Sequence, residues 1–328
     1  MINNDWFTQE NPFREGCPLY LGIDIGGTKC AVIRGTAAME IVQKESFATE
    51  DVHRTLERIF SIAERFQPFE AIGISCGGPL DSRKGVILSP PNLPGWDAVP
   101  ITAMLQERFG VPAYLLNDAN ACTLAEWKFG AGRGSRDMLF LTFGTGLGAG
   151  MILNGRLHVG ASDMAGEVGH IRLCMQGPVG YGKRGSFEGF CSGGGLAQLG
   201  QTLAREQLQQ EKTVGYCHSL AELPAITAKS IAEAAANGDE TAVEVYRLCG
   251  EKLGYGLSVL IDALNPDTIV IGSIFQRAES LLRPAMEAVI AREALPAAAG
   301  ACRIVPAALG ERIGDIAALN LAVCGQEL

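Results

Sequence analysis

The stretch LGIDIGGTKCAVI, Leu21 to Ile33, decides the fold. It reads as an apolar strand, a glycine-rich reversal carrying Thr28, and a second apolar strand. Far downstream MLFLTFGTGLGAGMIL, Met138 to Leu153, repeats that plan, and NDAN at 117–120 precedes it. One such hairpin is a weak hint of phosphate binding; two suggest half-sites closing on one phosphorylated nucleotide. Neither is the GxxxxGK[ST] loop, and neither places GxGxxG at a helix start, which weakens the P-loop and dinucleotide readings.

Around these hairpins the chain alternates strands with helices. A third strand falls near 39–47, a helix over 51–66 and a buried strand in EAIGISCGGPLD from Glu70. A Pro/Asn-rich loop follows at Leu88 to Trp96, then a helix near 99–108 and a short strand at 114–117. A helix after Asp118 ends at Gly130, and a second α/β pattern starts at Asp137. Glycine-rich loops occupy 160–195. Helices follow near 194–210, 227–237 and 239–264, then a strand at 268–272, a helix near 277–291 and a last helix at 314–324. The fold class is α/β with a mixed sheet. The domains divide as an N-terminal extension 1–18, a small α/β domain 19–118 joined by the C-terminal helix 312–328, and a large α/β domain 119–311.

With 328 residues, 47% hydrophobic and 19% charged, the chain can bury two cores. Its net charge of −9 argues against a bulk electrostatic grip on nucleic acid or anionic membrane. It does not argue against an anionic substrate held by uncharged backbone amides. The start, MINNDWFTQENPFREG, is not a basic-then-apolar leader, and no apolar run reaches membrane-spanning length. The ten cysteines stand singly, several in apolar runs, as buried thiols do in a reducing cytoplasm.

In the first turn Asp24, Gly26, Gly27, Thr28 and Lys29 are the candidate phosphate and Mg²⁺ residues. Adjacent glycines permit positive φ and bring amides to phosphate oxygens, while Asp24 would act through water on Mg²⁺. A structural hairpin with a solvated Asp and Lys is the alternative. In the second, Gly144, Thr145 and Gly146 head a strand that alternate glycines strip of side chains on one face. Asp118, at a strand's carboxyl end and a helix start, is the candidate base for an acceptor hydroxyl, its anion favoured by helix-end amides; a plain N-cap is the alternative. Asn92, Asn117, Glu167, His170 and Glu188 lie in glycine-rich surroundings suited to sugar hydroxyls.

These segments together resemble the ROK family (repressors, open reading frames and sugar kinases) of the actin-like hexokinase and Hsp70 ATPase superfamily. The matches are GIDIGGTK (22–29), GGPLD (77–81), PNLPGW (91–96), NDANACTLAE (117–126), TFGTGLGAG (142–150), AGEVGH (165–170) and GSFE (185–188). The resemblance implies two actin-like, ribonuclease H-like domains around a cleft, a homodimer, and transfer of the ATP γ-phosphoryl to a hexose hydroxyl, O6 of glucose above all. Asp118 then corresponds to the catalytic aspartate, and Gly78, Asn92, Asn117, Glu167, His170 and Glu188 to the sugar contacts. The two hairpins correspond to the ATP phosphate loops, and Gly272 and Ser273 lie near the nucleotide. Kinases of an N-acetylhexosamine, fructose or allose are alternatives, as is a non-catalytic sugar-binding regulator. Family repressors carry a winged helix-turn-helix before the kinase-like part, for which the first hairpin leaves no room.

Two departures from the family pattern stand out. Many members build a zinc site from the histidine and three cysteines of CxCGxxGCxE; here Val179, Tyr181 and Ser186 replace the cysteines, so no zinc site is expected. Packing around Tyr181 and Phe187 is expected to order the loop instead. The other departure is Ser273, where the family often has the second glycine of a pair.

Overall fold

The computed structural model describes residues 17–327; residues 1–16, most of the expected extension, and Leu328 lie outside the described residues. The opening stretch forms an antiparallel hairpin of β1 (Leu19–Ile25) and β2 (Lys29–Thr36), which β3 (Ile41–Ala48) extends. After α1 (Val52–Arg65), β4 (Ile72–Cys76) pairs with β1 in parallel. A small hairpin, β5 (Leu80–Asp81) and β6 (Val86–Ile87), leads to α2 (Ile101–Phe109) and then β7 (Ala113–Asn117), parallel to β4. The sheet order is β3-β2-β1-β4-β7. No residue separates β7 from α3 (Asp118–Phe129).

The same plan then recurs. β8 (Met138–Leu141), β9 (Ala149–Leu153) and β10 (Arg156–Leu157) form an antiparallel meander. Next come the hairpin β11 (Val179–Gly180) and β12 (Lys183–Arg184), then α4 (Phe187–Phe190), α5 (Gly193–Gln209), α6 (Ala228–Ala236) and α7 (Glu240–Leu264). β13 (Thr268–Ile271) pairs in parallel with β8. After α8 (Ile274–Glu293) and α9 (Pro296–Ala301), β14 (Arg303–Pro306) joins β13, and α10 (Ile313–Cys324) closes the order of elements. The order β10-β9-β8-β13-β14 reproduces the first sheet strand for strand.

The pattern of side chains explains the layers. β4 is buried at all five positions, because helices cover both faces of this central parallel strand. On one face Leu21, Ile23 and Ile25 pack with Leu56, Ile59 and Ile62 of α1. On the other, α10 lies close enough that a Cβ at Gly22 would stand 2.7 Å from Leu319 N, and one at Gly73 2.2 Å from Ala318 O. The alanines of α10 make that approach feasible. α3 and α10 share a core with the second sheet through Leu124, Phe140, Val270, Leu319 and Leu321. Each such buried leucine contributes about 1.5–3 kcal/mol. The second lobe has its own core around Phe187, Tyr246, Leu257 and Phe275. Two mixed-sheet α/β lobes thus flank α3 and α10, which is the actin-like arrangement.

All ten cysteines are free thiols, and six are buried. No described helix is long and apolar enough to cross a membrane.

Candidate active site

The start of α3 is the centre of the site. Asn117 caps the helix, its side-chain oxygen accepting from Ala119 N at 3.0 Å and Asn120 N at 3.4 Å. The capping role weighed for Asp118 therefore belongs to its neighbour. Asp118 is the first helical residue and opens toward solvent, one oxygen accepting from Ala119 N at 2.8 Å. Its acidity corrects a sequence expectation. Although it opens toward solvent, Asp118 has enough protein around its carboxyl to raise its pKa, and the bonds from Ala119 N–H and its own N–H offset this only in part. The helix-end amides are there; desolvation outweighs them.

Asp24 at the end of β1 is pushed up to about 6, first by burial and then by the charges of Asp118 and Asp315, with the Ser75 hydroxyl and Lys44 partly offsetting. Asp315 lies in the first turn of α10 and is held by Lys44 of β3 at 2.6 Å. Neither was singled out from sequence. Asp315 is visible there only as part of a glycine-rich turn, and Lys44 as one polar residue of an edge strand. A Cβ at Gly314 would meet Asp24 Oδ2 at 2.8 Å, so α10 begins directly against that carboxylate.

The glycines of both hairpins answer to space rather than to positive φ, a second correction, for none of Gly26, Gly27, Gly144 or Gly146 has positive φ. A Cβ at Gly27 would stand 2.7 Å from both Cβ and O of Asn92. Thr49 fastens that turn, its hydroxyl donating to Gly26 O at 2.6 Å. In the second hairpin a Cβ at Gly146 would meet Glu188 Oε2 at 2.8 Å, and the same oxygen accepts from Leu147 N at 3.0 Å. A Cβ at Gly150 would stand 2.0 Å from Thr123 Oγ1 of α3. Gly144 O accepts from Gly193 N at 2.8 Å, which sets the glycine start of α5 beside the loop. Ser273 is also adjacent, its Oγ 3.6 Å from a Cβ at Gly144, and it holds φ +54° at the entry to α8. Gly272 ties back to Leu141 O. The run CSGGGL at 191–196 is the sequence signal that could have added Gly193.

Thr28, Lys29 and Thr145 are exposed. Gly78 lies by Asn117, its missing Cβ 3.3 Å from Asn117 Nδ2. Glu167 is raised by burial; His170 lowers its pKa, while Asp118 and Glu188 raise it further, so these four groups share one electrostatic environment.

The segment around His170 is ordered without cysteine ligands. Tyr181 packs edge-on against the imidazole with centroids 5.0 Å apart, and Lys183 Nζ donates to His170 O at 2.5 Å. Ser186 is buried, caps α4 through Gly189 N at 3.0 Å and donates to Gly180 O. The Gln198 amide of α5 pairs with both N and O of Val179 at 2.9 Å. Among the described residues no group of three His, Cys, Asp or Glu could hold a metal. Cys191 instead donates to Cys249 O, and Cys174 lies 3.0 Å from Lys252 Nζ.

Duplicated mixed sheets, a helix start between two glycine hairpins and a carboxylate at that start define a two-lobed actin-like protein. The chain belongs to the ROK family, whose profile matches residues 20–324. It is 33% identical over 313 residues to a glucokinase from Halalkalibacterium halodurans, covering 90% of this chain and 92% of that one. It is 30% identical over 266 residues to the xylose repressor of Caldicellulosiruptor bescii, covering 77% and 65%. A family glucokinase from Streptomyces griseus, solved with glucose and AMPPNP, superposes with TM-score 0.74 at 29% identity, covering 93% and 99%. The chain is thus related both to sugar kinases and to sugar-linked transcriptional regulators.

Proposed function

We propose that this protein is an ATP-dependent hexose kinase that transfers the γ-phosphoryl of ATP to a sugar hydroxyl, with O6 of glucose the first candidate. The observation that carries this is Asp118: a carboxylate at a helix start, open to solvent and raised in pKa, in one electrostatic environment with Asp24, Glu167 and Glu188. As the acceptor oxygen bonds to the γ-phosphorus and ADP leaves, Asp118 takes the hydroxyl proton. Asn92, Asn117, Glu167, His170 and Glu188 bind and orient the sugar, with Gly78 lining the same space. Gly26, Gly27, Thr28 and Lys29 receive the phosphates from one side, Gly144, Thr145 and Gly146 from the other, and Gly272 and Ser273 border the nucleotide. Closing the lobes over the sugar excludes water and limits idle ATP hydrolysis.

Magnesium fits this site in the way it accompanies nucleotides, through few carboxylates, water and phosphate oxygens. Asp24 supplies a hard oxygen near the end of β1, and the Ser75 hydroxyl stands beside it in the β1–β4 register. Asp24 would hold the ion through water, and the bound ion would neutralise phosphate charge.

The test is a coupled ATP-consumption assay over glucose, mannose, fructose, allose and the N-acetylhexosamines. Turnover of glucose, lowered roughly 10²–10⁴-fold in Asp118→Asn with glucose binding retained, is the expected result. Turnover of an N-acetylhexosamine alone would reassign the substrate. Sugar binding without turnover of any member would favour the regulator that the repressor relatives bring to mind.

A further inference from the structure

A cavity of about 910 Å³ lies between the lobes away from the site described above. It is walled by the β5–β6 segment, α2 and β7 of the first lobe, by the β9–β10 turn of the second, and by α3 and the end of α10. None of Asp24, Asp118, Glu167, His170 or Glu188 lines it. It reaches α3 at Leu124, Trp127 and Lys128, and the helical rise puts Lys128 about 15 Å from Asp118. Its volume lies within the roughly 300–1,000 Å³ range of small-molecule sites.

The lining has two chemistries. Leu116, Leu124, Trp127, Leu157 and Leu321 make part of the wall apolar. Four basic side chains, Arg83, Lys84, Lys128 and Arg156, stand against one acidic one, Glu327. That balance reverses the net charge of −9 of the whole chain. Asp81 holds Lys84 at 3.2 Å and Glu327 holds Lys128 at 3.8 Å, whereas Arg83 and Arg156 pair with no described acidic residue. These two arginines come from opposite lobes. Ser82, also in the lining, already joins the lobes through Asp163, its N donating at 2.9 Å and its hydroxyl at 2.8 Å.

We propose that this cavity is a second binding site, for a small organic phosphate whose apolar part fills the wall between Trp127 and Leu157 and whose phosphate is shared by Arg83 and Arg156. Two guanidinium groups without described acidic partners match the roughly two negative charges that a phosphomonoester carries near neutral pH, one more than a carboxylate supplies. A ligand held from both lobes binds one lobe arrangement better than another, so it biases their relative position.

The test is calorimetric titration of the full chain with phenyl phosphate, benzoate and inorganic phosphate. Phenyl phosphate is expected to saturate one site, more tightly than either control. Arg83→Gln and Arg156→Gln should each weaken it roughly tenfold, the loss of one charge-assisted bond. Asp118→Asn should leave its affinity unchanged, whatever the catalytic outcome of that substitution. Absence of saturable binding would overturn the proposal. So would an affinity indifferent to either arginine, or one lost in Asp118→Asn, which would place the probe in the first cleft.

Discussion

The two glycine hairpins share a strand plan and differ in what occupies the space their missing side chains leave. At the first, Gly27 makes room for Asn92, and both residues are exposed. At the second, Gly150 makes room for Thr123, which is fully buried in α3, and Gly146 makes room for the carboxylate of Glu188. One hairpin leans on a surface loop and the other on the helix between the lobes. Crowding the first should disturb ligand contacts, whereas crowding the second should disturb the fold.

Gly150→Ala breaks the comparison most severely. Its Cβ would lie 2.0 Å from Thr123 Oγ1 and 2.9 Å from Ala119 O, and backbone cannot swing aside as a flexible side chain can. Urea unfolding should show a loss of about 2–3 kcal/mol, at the upper end of overpacking costs. An unchanged midpoint would mean that α3 and β9 are not locked together. Gly27→Ala also meets backbone, Asn92 O at 2.7 Å, but in an exposed loop that can shift as a unit: kcat/KM for sugar should fall on the order of tenfold, with a stability loss of about 1 kcal/mol, smaller than that of Gly150→Ala. Equal stability losses in the two variants would erase the distinction.

Much of this was legible in the sequence, for reasons specific to each element. The β1–β2 and β8–β9 hairpins announce themselves because apolar alternation and glycine coincide within a few residues. Asp118 could be placed because a strand end and a helix start meet there. Asp315 could not, since its importance depends on α10 returning across β1 from the far end of the chain, where Gly314 abuts Asp24. The reason for the hairpin glycines was also hidden: their neighbours, Asn92 and Glu188, are remote in sequence. The acidity of Asp118 turned on how much protein surrounds it, which local amides do not reveal.

The histidine segment offers a milder test. If the Tyr181 edge contact sets the His170 ring where a metal would otherwise hold it, Tyr181→Ala should raise the sugar KM about fivefold, the scale of one aromatic pair, with kcat little changed. Tyr181→Phe should restore it, because the ring and not the hydroxyl makes the contact. A Phe variant as impaired as the Ala variant would assign the effect to the hydroxyl instead.

The smallest effect concerns Asp24, where the first hairpin carries a cost the second lacks. Its folded pKa of about 6 lies above the ordinary aspartate value of 3.8, so the fold binds this proton more tightly than the unfolded chain does. Stability from this group is therefore greatest at low pH and declines as pH rises from about 4 through 6, the full cost remaining above that window. Asp24→Asn removes the charge but keeps the shape. It should raise the thermal midpoint at pH 7.5 by about 2 °C, and the gain should shrink to nothing as pH falls toward 4. A gain that is constant with pH would mean that neither the burial of this charge nor its repulsion from Asp118 and Asp315 is the source. The same substitution should weaken magnesium-dependent nucleotide binding, because it removes the charge that would hold the ion through water.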